Sequence, residues 1–142
     1  MTTVYDVEAD SLIKEAAGKL KEMGLKKPGF VGLVKTGSHS ERPPEQEEFW
    51  WVRAASILRK IYMNANMGVN KLRREYGAKK RMGVKPPHFR MAGGKTNRVA
   101  LQELEKLGLL KKGENGKGRV LTPAGFKFMD GAAREAAKGA KK

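Results

Sequence analysis

Apolar residues recur along the chain with the spacing of amphipathic helices, in stretches separated by glycine and proline. The clearest stretch covers residues 45–63, where one side of the predicted helix is a wide apolar surface. Thr122 followed by Pro123 is a start signal for the last helix. The helices predicted in this way cover residues 10–24, 45–63, 69–76, 96–107 and the stretch from residue 123 onward.

The segments between these helices carry weaker patterns. Residues 109–112 and 118–122 are strand-like, and the stretch between them predicts a hairpin turn. The pattern over residues 28–37 is too short to assign to a strand or a helix, and a loop is predicted for residues 37–48. Residues 79–90 have no helical period and contain two prolines, so we expect a basic loop there. A short flexible basic tail is expected over residues 138–142.

Helix, short helix, helix and hairpin is the order of elements in a winged-helix domain, in which the hairpin is the wing. The pattern therefore predicts a mainly α fold, a helical bundle around a central amphipathic helix with a winged-helix-like β-hairpin. Because a chain of 142 residues is long enough to bury one core, we expect residues 1–142 to form a single domain.

The helix predicted over residues 45–63 has a polar side without acidic residues. On a helical wheel Arg53, Ser56, Arg59 and Lys60 fall together, opposite an apolar face that includes Trp50. An ordinary exposed face would intersperse carboxylates that pair with such cations, so their absence favours contact with phosphates over plain solvation. For Trp50, its place on the apolar face favours packing in the core over stacking on a base.

Positive charge is concentrated in the middle of the chain. The sequence has 30 lysines and arginines against 15 acidic residues, a net charge of +15. Residues 59–98 alone hold 12 basic residues and one acidic residue, Glu75, whereas residues 1–58 hold 8 basic and 9 acidic residues. So dense a cluster, interspersed with Tyr62, Leu72 and Phe89, indicates a folded surface that meets a polyanion. Because the cations are spread over several elements, a nucleic acid is favoured over a membrane.

Composition argues against several other classes of protein. The sequence contains no run of about 18 apolar residues, so no membrane span is predicted. The first residues lack the basic and apolar regions of a signal peptide. The absence of cysteine removes disulfides and thiolate metal sites and fits a reducing cytosol. Residues 94–96 resemble the end of a phosphate-binding loop but lack its earlier glycine, since Phe89 stands there. We therefore expect no enzymatic activity, cofactor, metal or small-molecule substrate.

RNA and duplex DNA require different geometries. A DNA-binding helix-turn-helix joins its second and third helices by about 3–4 residues, whereas 19 residues run from Gly77 to Lys95 here. The following helix also carries Glu103 and Glu105, which would meet phosphates poorly. An irregular RNA surface is therefore favoured, and a winged-helix DNA-binding transcription regulator is the alternative hypothesis.

The chain carries a series of short motifs in a fixed order, namely Phe49-Trp50-Trp51-Val52-Arg53-Ala54-Ala55-Ser56 with Arg59 and Tyr62, Gly68-Val69, Tyr76-Gly77, Pro86-Pro87-His88-Phe89, Leu101-Gln102-Glu103-Leu104-Glu105, and Gly118-Arg119-Val120-Leu121-Thr122-Pro123-Ala124-Gly125. In this order they resemble the archaeal and eukaryotic small-subunit ribosomal protein family nineteen-e, over nearly the whole chain. The resemblance implies residence in the head of the small subunit, bound to rRNA beside neighbouring head proteins. It also implies a part in subunit assembly and rRNA maturation, and we expect a cytoplasmic chain that is monomeric when free.

The resemblance places the rRNA-facing central helix of the family on Trp50, Arg53, Ser56, Arg59 and Lys60. It places the basic loop of the family on residues 79–90, although the positions just before the next helix differ from the family pattern. Together with the charge pattern, this defines the candidate RNA-binding residues: Trp50, Arg53, Ser56, Arg59, Lys60, Lys71, Arg73, Arg74, Lys79, Lys80, Arg81, Lys85, His88, Arg90, Lys95 and Arg98.

Overall fold

Five helices and two small antiparallel hairpins make up the fold of residues 2–140, which the computed structural model describes; Met1, Lys141 and Lys142 lie outside the described residues. The elements are α1 (Ala9–Glu22), α2 (Phe49–Asn64), α3 (Val69–Tyr76), β1 (Ala78–Met82), β2 (Lys85–Arg90), α4 (Gly94–Lys106), β3 (Leu110–Lys112), β4 (Arg119–Leu121) and α5 (Pro123–Ala140). Single 3₁₀ turns cover Val4–Asp6 and Glu114–Gly116. The prediction of a mainly α fold with a winged-helix-like hairpin is confirmed.

Helix α2 lies at the centre and supplies much of the core. Its buried side chains are Trp50, Ala54, Ala55, Ile57, Leu58 and Ile61. Helix α1 packs against both α2 and α5, and α4 contacts α2 from another side. The wide apolar face that the sequence predicts is therefore the surface on which the other helices pack. A helix with so wide an apolar face must be covered by several neighbours.

Two helix ends follow the sequence signals closely, the end of α1 and the start of α5. Gly24 follows the last turn of α1 with φ of +87°, a left-handed conformation that glycine adopts without steric cost. At the start of α5, the backbone N–H of Gly125 donates to Oγ1 of Thr122 at 3.1 Å, the N-cap contact that the sequence predicts. Both predicted helix boundaries are confirmed.

Helix α2 begins at Phe49, four residues later than the sequence predicts. Residues 45 and 46 have no regular structure and residues 47 and 48 form a turn, in which the N–H of Phe49 donates to the carbonyl of Gln46. These four residues are exposed and contain no apolar side chain that could anchor a helical turn on the core. Helical packing starts where Phe49 and Trp50 reach the core, because tertiary burial of an apolar face supplies most helix stability.

An antiparallel hairpin, β1–β2, occupies residues 78–90, so the prediction of a basic loop over residues 79–90 is wrong. The register places Lys79 opposite Phe89 and Lys80 opposite His88. Met82 faces Lys85 across a two-residue turn, residues 83–84, in which the glycine has φ of +74°. A glycine at the first central position is what a tight hairpin turn of this kind favours.

The amino-acid composition of β1–β2 is not typical of strands, so the hairpin is not evident from the sequence. Lysine and proline are depleted in strands, and Pro86 and Pro87 both lie in β2. In a two-stranded sheet each strand has an open edge, where a missing N–H removes no ladder bond. Since consecutive residues point their N–H groups to opposite edges, the second proline is accommodated where the register shifts between Lys80 and Met82. The signal that could have identified the hairpin is Gly83, since glycine followed by one further residue between two short runs is a hairpin-turn pattern.

The second hairpin, β3–β4, is the predicted wing, with Leu110 opposite Leu121. It is tied to the short segment between α2 and α3, because Met67 and Arg119 exchange backbone hydrogen bonds of 3.2 and 2.9 Å. Beyond the wing, α5 continues to Ala140, so residues 138–140 are helical where the sequence predicts a flexible tail. The alanine-rich sequence before them has high helix propensity. The rest of the predicted tail, Lys141 and Lys142, lies outside the described residues.

Candidate nucleic-acid interface

Helix α3, hairpin β1–β2 and the first turns of α4 are consecutive in the chain and carry most of the candidate cations. Leu72 anchors α3 in the core, and α3 packs against α4. Lys71 and Arg74 point away from that contact and are exposed. Leu72 therefore faces the core and these two cations face solvent, whereas Arg73, which helical spacing also places on the outer side of α3, is half-buried.

The aromatic ring of Tyr76 organises the polar side of α2. The guanidinium carbon of Arg53 lies 3.9 Å from the centre of this ring and 5.0 Å from that of Phe49. Tyr76 also donates its hydroxyl to Oγ of Ser56 at 2.7 Å. Burial lowers the pKa of Arg53 and raises the pKa of Tyr76. Arg53 and Ser56 therefore hold α3 on α2, a function that the helical wheel of α2 alone could not reveal.

Lys60 and Arg59 differ in their surroundings. Nζ of Lys60 lies 3.4 Å from Oε2 of Glu75, so α3 supplies the carboxylate that α2 lacks. Lys60 therefore already has a carboxylate partner within the chain, which the helical wheel of α2 alone does not show. Arg59 is half-buried, and its Nε is buried without a hydrogen-bond partner among the described residues. Within residues 2–140 no carboxylate pairs with this guanidinium, so its terminal N–H groups are available for an external anion.

Arg73 ties α3 to the segment between β2 and α4. Its Nε donates to the carbonyl of Ala92 at 2.8 Å, while the N–H of Ala92 donates to the carbonyl of Arg73 at 2.9 Å. The side chain of Arg73 also passes close to Gly94. This double contact fixes the base of β1–β2 relative to α3, so Arg73 positions the interface and has fewer donors left for an RNA phosphate.

Hairpin β1–β2 projects its side chains to solvent on both faces. Every residue of β2 is exposed, and in β1 only Lys80 and Met82 are half-buried. The exposed candidate residues here are Lys79, Arg81, Lys85, His88 and Arg90. Phe89 is 51% exposed between them. Because the ring of Phe89 is exposed and lies among cations, it is available to stack on an unpaired base.

The beginning of α4 continues this surface. Lys95 and Arg98 are exposed, and Nζ of Lys95 lies 4.7 Å from the ring centre of Phe30. The two carboxylates of α4 are occupied within the chain: Oε1 of Glu103 lies 3.1 Å from Lys106, and Oε2 of Glu105 lies 3.3 Å from Arg119 of the wing. Glu105 thus supports the wing and Glu103 pairs within α4, so neither carboxylate pairs with a cation of the candidate interface.

Trp50 requires a correction, because its side chain is 0% exposed. It packs edge-on against Phe30, with ring centres 6.3 Å apart. The resemblance carried an RNA-facing role onto this residue, whereas its place on the apolar face of the wheel predicted burial. The structure agrees with the wheel, and Trp50 shapes the interface only through the core.

The structure thus brings together a set of exposed candidates on three consecutive elements: Lys71, Arg74, Lys79, Arg81, Lys85, His88, Arg90, Lys95 and Arg98. Within residues 2–140 none of these has a carboxylate within 4 Å. Over the same residues, no three acidic or histidine side chains come close enough together to hold a metal ion. No helix of the described part has the length and apolar character of a membrane span.

Comparison with known proteins gives one consistent family. The family model described as "Ribosomal protein S19e" matches residues 3–139. The "Small ribosomal subunit protein eS19" of Aeropyrum pernix is 45% identical over 138 residues, which are 95% of this chain and 90% of the relative. Proteins of the same name from Thermoplasma volcanium and Emericella nidulans are 41% and 40% identical. They align over 97% and 93% of this chain and 91% and 90% of their own lengths.

These matches confirm the resemblance found in the sequence motifs. The family consists of structural ribosomal components, so the expectation that the chain is not an enzyme is confirmed as well. The matched range includes both hairpins and all five helices almost to the end of α5. The chain therefore belongs to the S19e family of ribosomal proteins.

Proposed function

We propose that this protein is a structural constituent of the small ribosomal subunit, where it binds rRNA in the subunit head and supports subunit assembly and rRNA maturation. Its relatives are named as small ribosomal subunit proteins at 38–45% identity. The proposal places the chain in the cytoplasm, on the ribosome, next to other proteins of the subunit head. It includes a monomeric state before assembly.

The observation that carries rRNA binding is hairpin β1–β2. Its cations, all exposed except the half-buried Lys80, have no carboxylate partner in the described part of the chain. This hairpin packs little of its surface on the core of the protein. Because its like charges repel one another, they destabilise the free protein. Phosphates of a folded RNA would remove that cost, with release of counterions as the driving force.

A folded RNA fits this geometry better than the groove of duplex DNA. In a helix-turn-helix the recognition helix follows its partner after a short turn, but here β1–β2 projects between α3 and α4. The exposed cations therefore lie on an arm and on two helices rather than along one recognition helix. Such an arrangement suits the irregular surface and unpaired bases of RNA.

The direct contacts that we propose are those of the exposed set, from Lys71 to Arg98, together with Arg59 and Lys80 at its margin. Arg53, Ser56, Lys60 and Arg73 act by holding α3 and the hairpin in place. Removing an exposed cation should weaken RNA binding without changing stability, whereas removing a positioning residue should change both.

A charge reversal on α3 tests the proposal. The variant Lys71→Glu plus Arg74→Glu should fold normally, because both side chains are exposed, and should bind small-subunit rRNA at least about tenfold more weakly. Co-sedimentation with small ribosomal subunits through a high-salt gradient measures the consequence, which should be loss of incorporation. The matched control Lys26→Glu plus Lys27→Glu changes the charge equally at two exposed positions before α2 and should be incorporated normally. Normal incorporation of the α3 variant would contradict the proposed surface.

A further inference from the structure

A groove on the side of the bundle lies next to the proposed RNA surface but differs from it in chemistry. It has a volume of about 790 Å³ and is bounded by the start of α1, residues 46–48, the first turns of α2 and the end of α3. Its lining is mainly apolar and includes Ile13, Phe49 and Val52. All three are only half-buried, and no element of the described chain covers them.

The rim of the groove is acidic in a protein whose net charge is +15. Asp10 from α1 and Glu47 and Glu48 from the segment before α2 lie along it, all exposed. Within residues 2–140, none of these carboxylates has a cation within 4 Å. The two cations in the lining are Lys14 and Arg53, and the guanidinium of Arg53 is stacked on Tyr76 and Phe49. The acidic side chains therefore outnumber the cations and are free to meet a ligand.

This combination selects one class of occupant. An RNA backbone would bring phosphates against three unpaired carboxylates, which is unfavourable. A peptide with an apolar side chain flanked by lysine or arginine would bury that side chain against Ile13 and Val52. Its cations would meet the acidic rim, where complementary charge gives specificity and a faster association.

We propose that the groove binds an extended basic segment of a neighbouring protein of the small subunit, with one apolar side chain seated between α1 and α2. The proposal rests on the proposed function, since the other components of that particle meet the same rRNA and need an excess of cations as well. In this arrangement the chain has two different interfaces, a cationic one for RNA and an acidic and apolar one for protein. Arg53 lies between them and keeps α3 and α2 in register.

A peptide-binding measurement tests the chemistry of the groove. The probe is a fluorescein-labelled peptide of alternating lysine and leucine, followed by fluorescence anisotropy, with a peptide of alternating lysine and serine for comparison. We expect the leucine peptide to bind at least tenfold more tightly than the serine peptide. Glu47→Lys plus Glu48→Lys should weaken the leucine peptide about tenfold. The matched control Glu15→Lys plus Glu22→Lys, at exposed positions of α1 outside the groove, should leave its affinity within twofold.

Cross-linking in the particle distinguishes the two interfaces. Because the chain has no cysteine, Val52→Cys and Arg74→Cys each provide a single thiol for a short photoactivatable cross-linker in reconstituted small subunits. We expect the first to cross-link to a lysine- or arginine-rich stretch of a protein and the second to rRNA. A cross-link from position 52 to rRNA, or none from a thiol shown to be labelled, would overturn the groove proposal. Absence of an rRNA cross-link from position 74 would instead contradict the proposed function. Equal affinities of the two peptides, or no effect of the rim reversal, would also overturn the groove proposal.

Discussion

Lysine and arginine side chains of the described residues fall into two groups, those held by rings, carbonyls or carboxylates of the chain itself and those that meet only solvent. Arg53 lies over the ring of Tyr76, and Nζ of Lys21 lies 5.0 Å from the ring centre of Trp51. Arg73 is held by the carbonyl of Ala92, as described above. A cation on a ring gains about 0.5–1 kcal/mol at an exposed site. The number of basic residues therefore overstates the number of cations that are free for the proposed contacts with phosphates.

Tyr62 offers a pH-dependent test at the scale of one side chain. Its hydroxyl donates to Oδ1 of Asp130 at 2.9 Å, and its ring packs edge-on against Tyr5 and Phe126. Burial, followed by the hydrogen bond to Asp130, raises the pKa of Tyr62 from 10.0 to about 12. Because the folded state holds this proton more tightly than the unfolded state, the resulting stabilisation is complete below pH 10 and is lost as the pH rises through 12.

We therefore expect the difference in free energy of unfolding between the wild type and Tyr62→Phe to decrease as the pH rises from 10 to 12. Denaturant unfolding at a series of alkaline pH values measures that difference, and the ultraviolet absorbance of tyrosinate follows the titration directly. The Asp130→Asn variant removes the carboxylate and should lower the pKa of Tyr62. A stability difference that stays constant through this pH range would contradict the assignment.

At the scale of elements, the close approach of α5 to the wing depends on one small residue. A Cβ at Gly125 would collide with the backbone carbonyl of Leu109 and crowd Leu121, whereas a Cβ at Gly18 of α1 would meet no atom within 4 Å. Both glycines lie inside helices, so propensity alone favours alanine at both by about 0.5–1 kcal/mol.

The two substitutions should therefore have opposite effects on thermal stability. Gly18→Ala should stabilise the protein by about 0.5–1 kcal/mol, since only helix propensity changes. Gly125→Ala should destabilise it by about 1–3 kcal/mol, because α5 must move away from the wing. Thermal unfolding monitored by circular dichroism measures both changes. A stabilising Gly125→Ala would show that the contact between α5 and the wing is loose.

Helical periodicity identified all five helices because each buries an apolar stripe on the core. Leu72 of α3 and Leu104 of α4 are buried where the pattern places them. Hairpin β1–β2 could not be found in this way, since it buries no alternating face and its pairing is set by backbone hydrogen bonds and the turn at Gly83. The first turn predicted for α2 failed for the converse reason, because its acidic residues can form a helix but have nothing to pack against.

The candidate site could be predicted as a charged segment but not as a set of contacts. Counting charges identified residues 59–98, and that segment includes the whole exposed surface of α3, β1–β2 and the start of α4. What the sequence could not supply is the pairing between elements. Glu75 with Lys60, Tyr76 with Arg53 and Ala92 with Arg73 are all partners from different elements, and they remove three cations from the predicted set of direct contacts.

At the scale of the whole molecule, charge is divided between opposite kinds of surface. The cationic arm and helices lie in residues 59–98, while the first 58 residues are nearly neutral and contribute the acidic rim of the groove. A protein with a uniformly basic surface would bind a polyanion in any orientation. Separation of the two surfaces favours one orientation on an RNA, since the acidic side is repelled by phosphates.

The salt dependence of RNA binding measures how many cations the surface commits. If about 8 phosphates are neutralised, log K should fall against log salt concentration with a slope of roughly −6 to −7. The variant Lys79→Ala plus Lys85→Ala removes two cations from the hairpin and should reduce the steepness of that slope by about 1.5. Lys26→Ala plus Lys27→Ala, with the same loss of charge outside the surface, should leave the slope unchanged. An equal change of slope in both variants would contradict the proposed contact of the hairpin with RNA. Binding would then depend on the net charge of the protein and not on the position of its lysines.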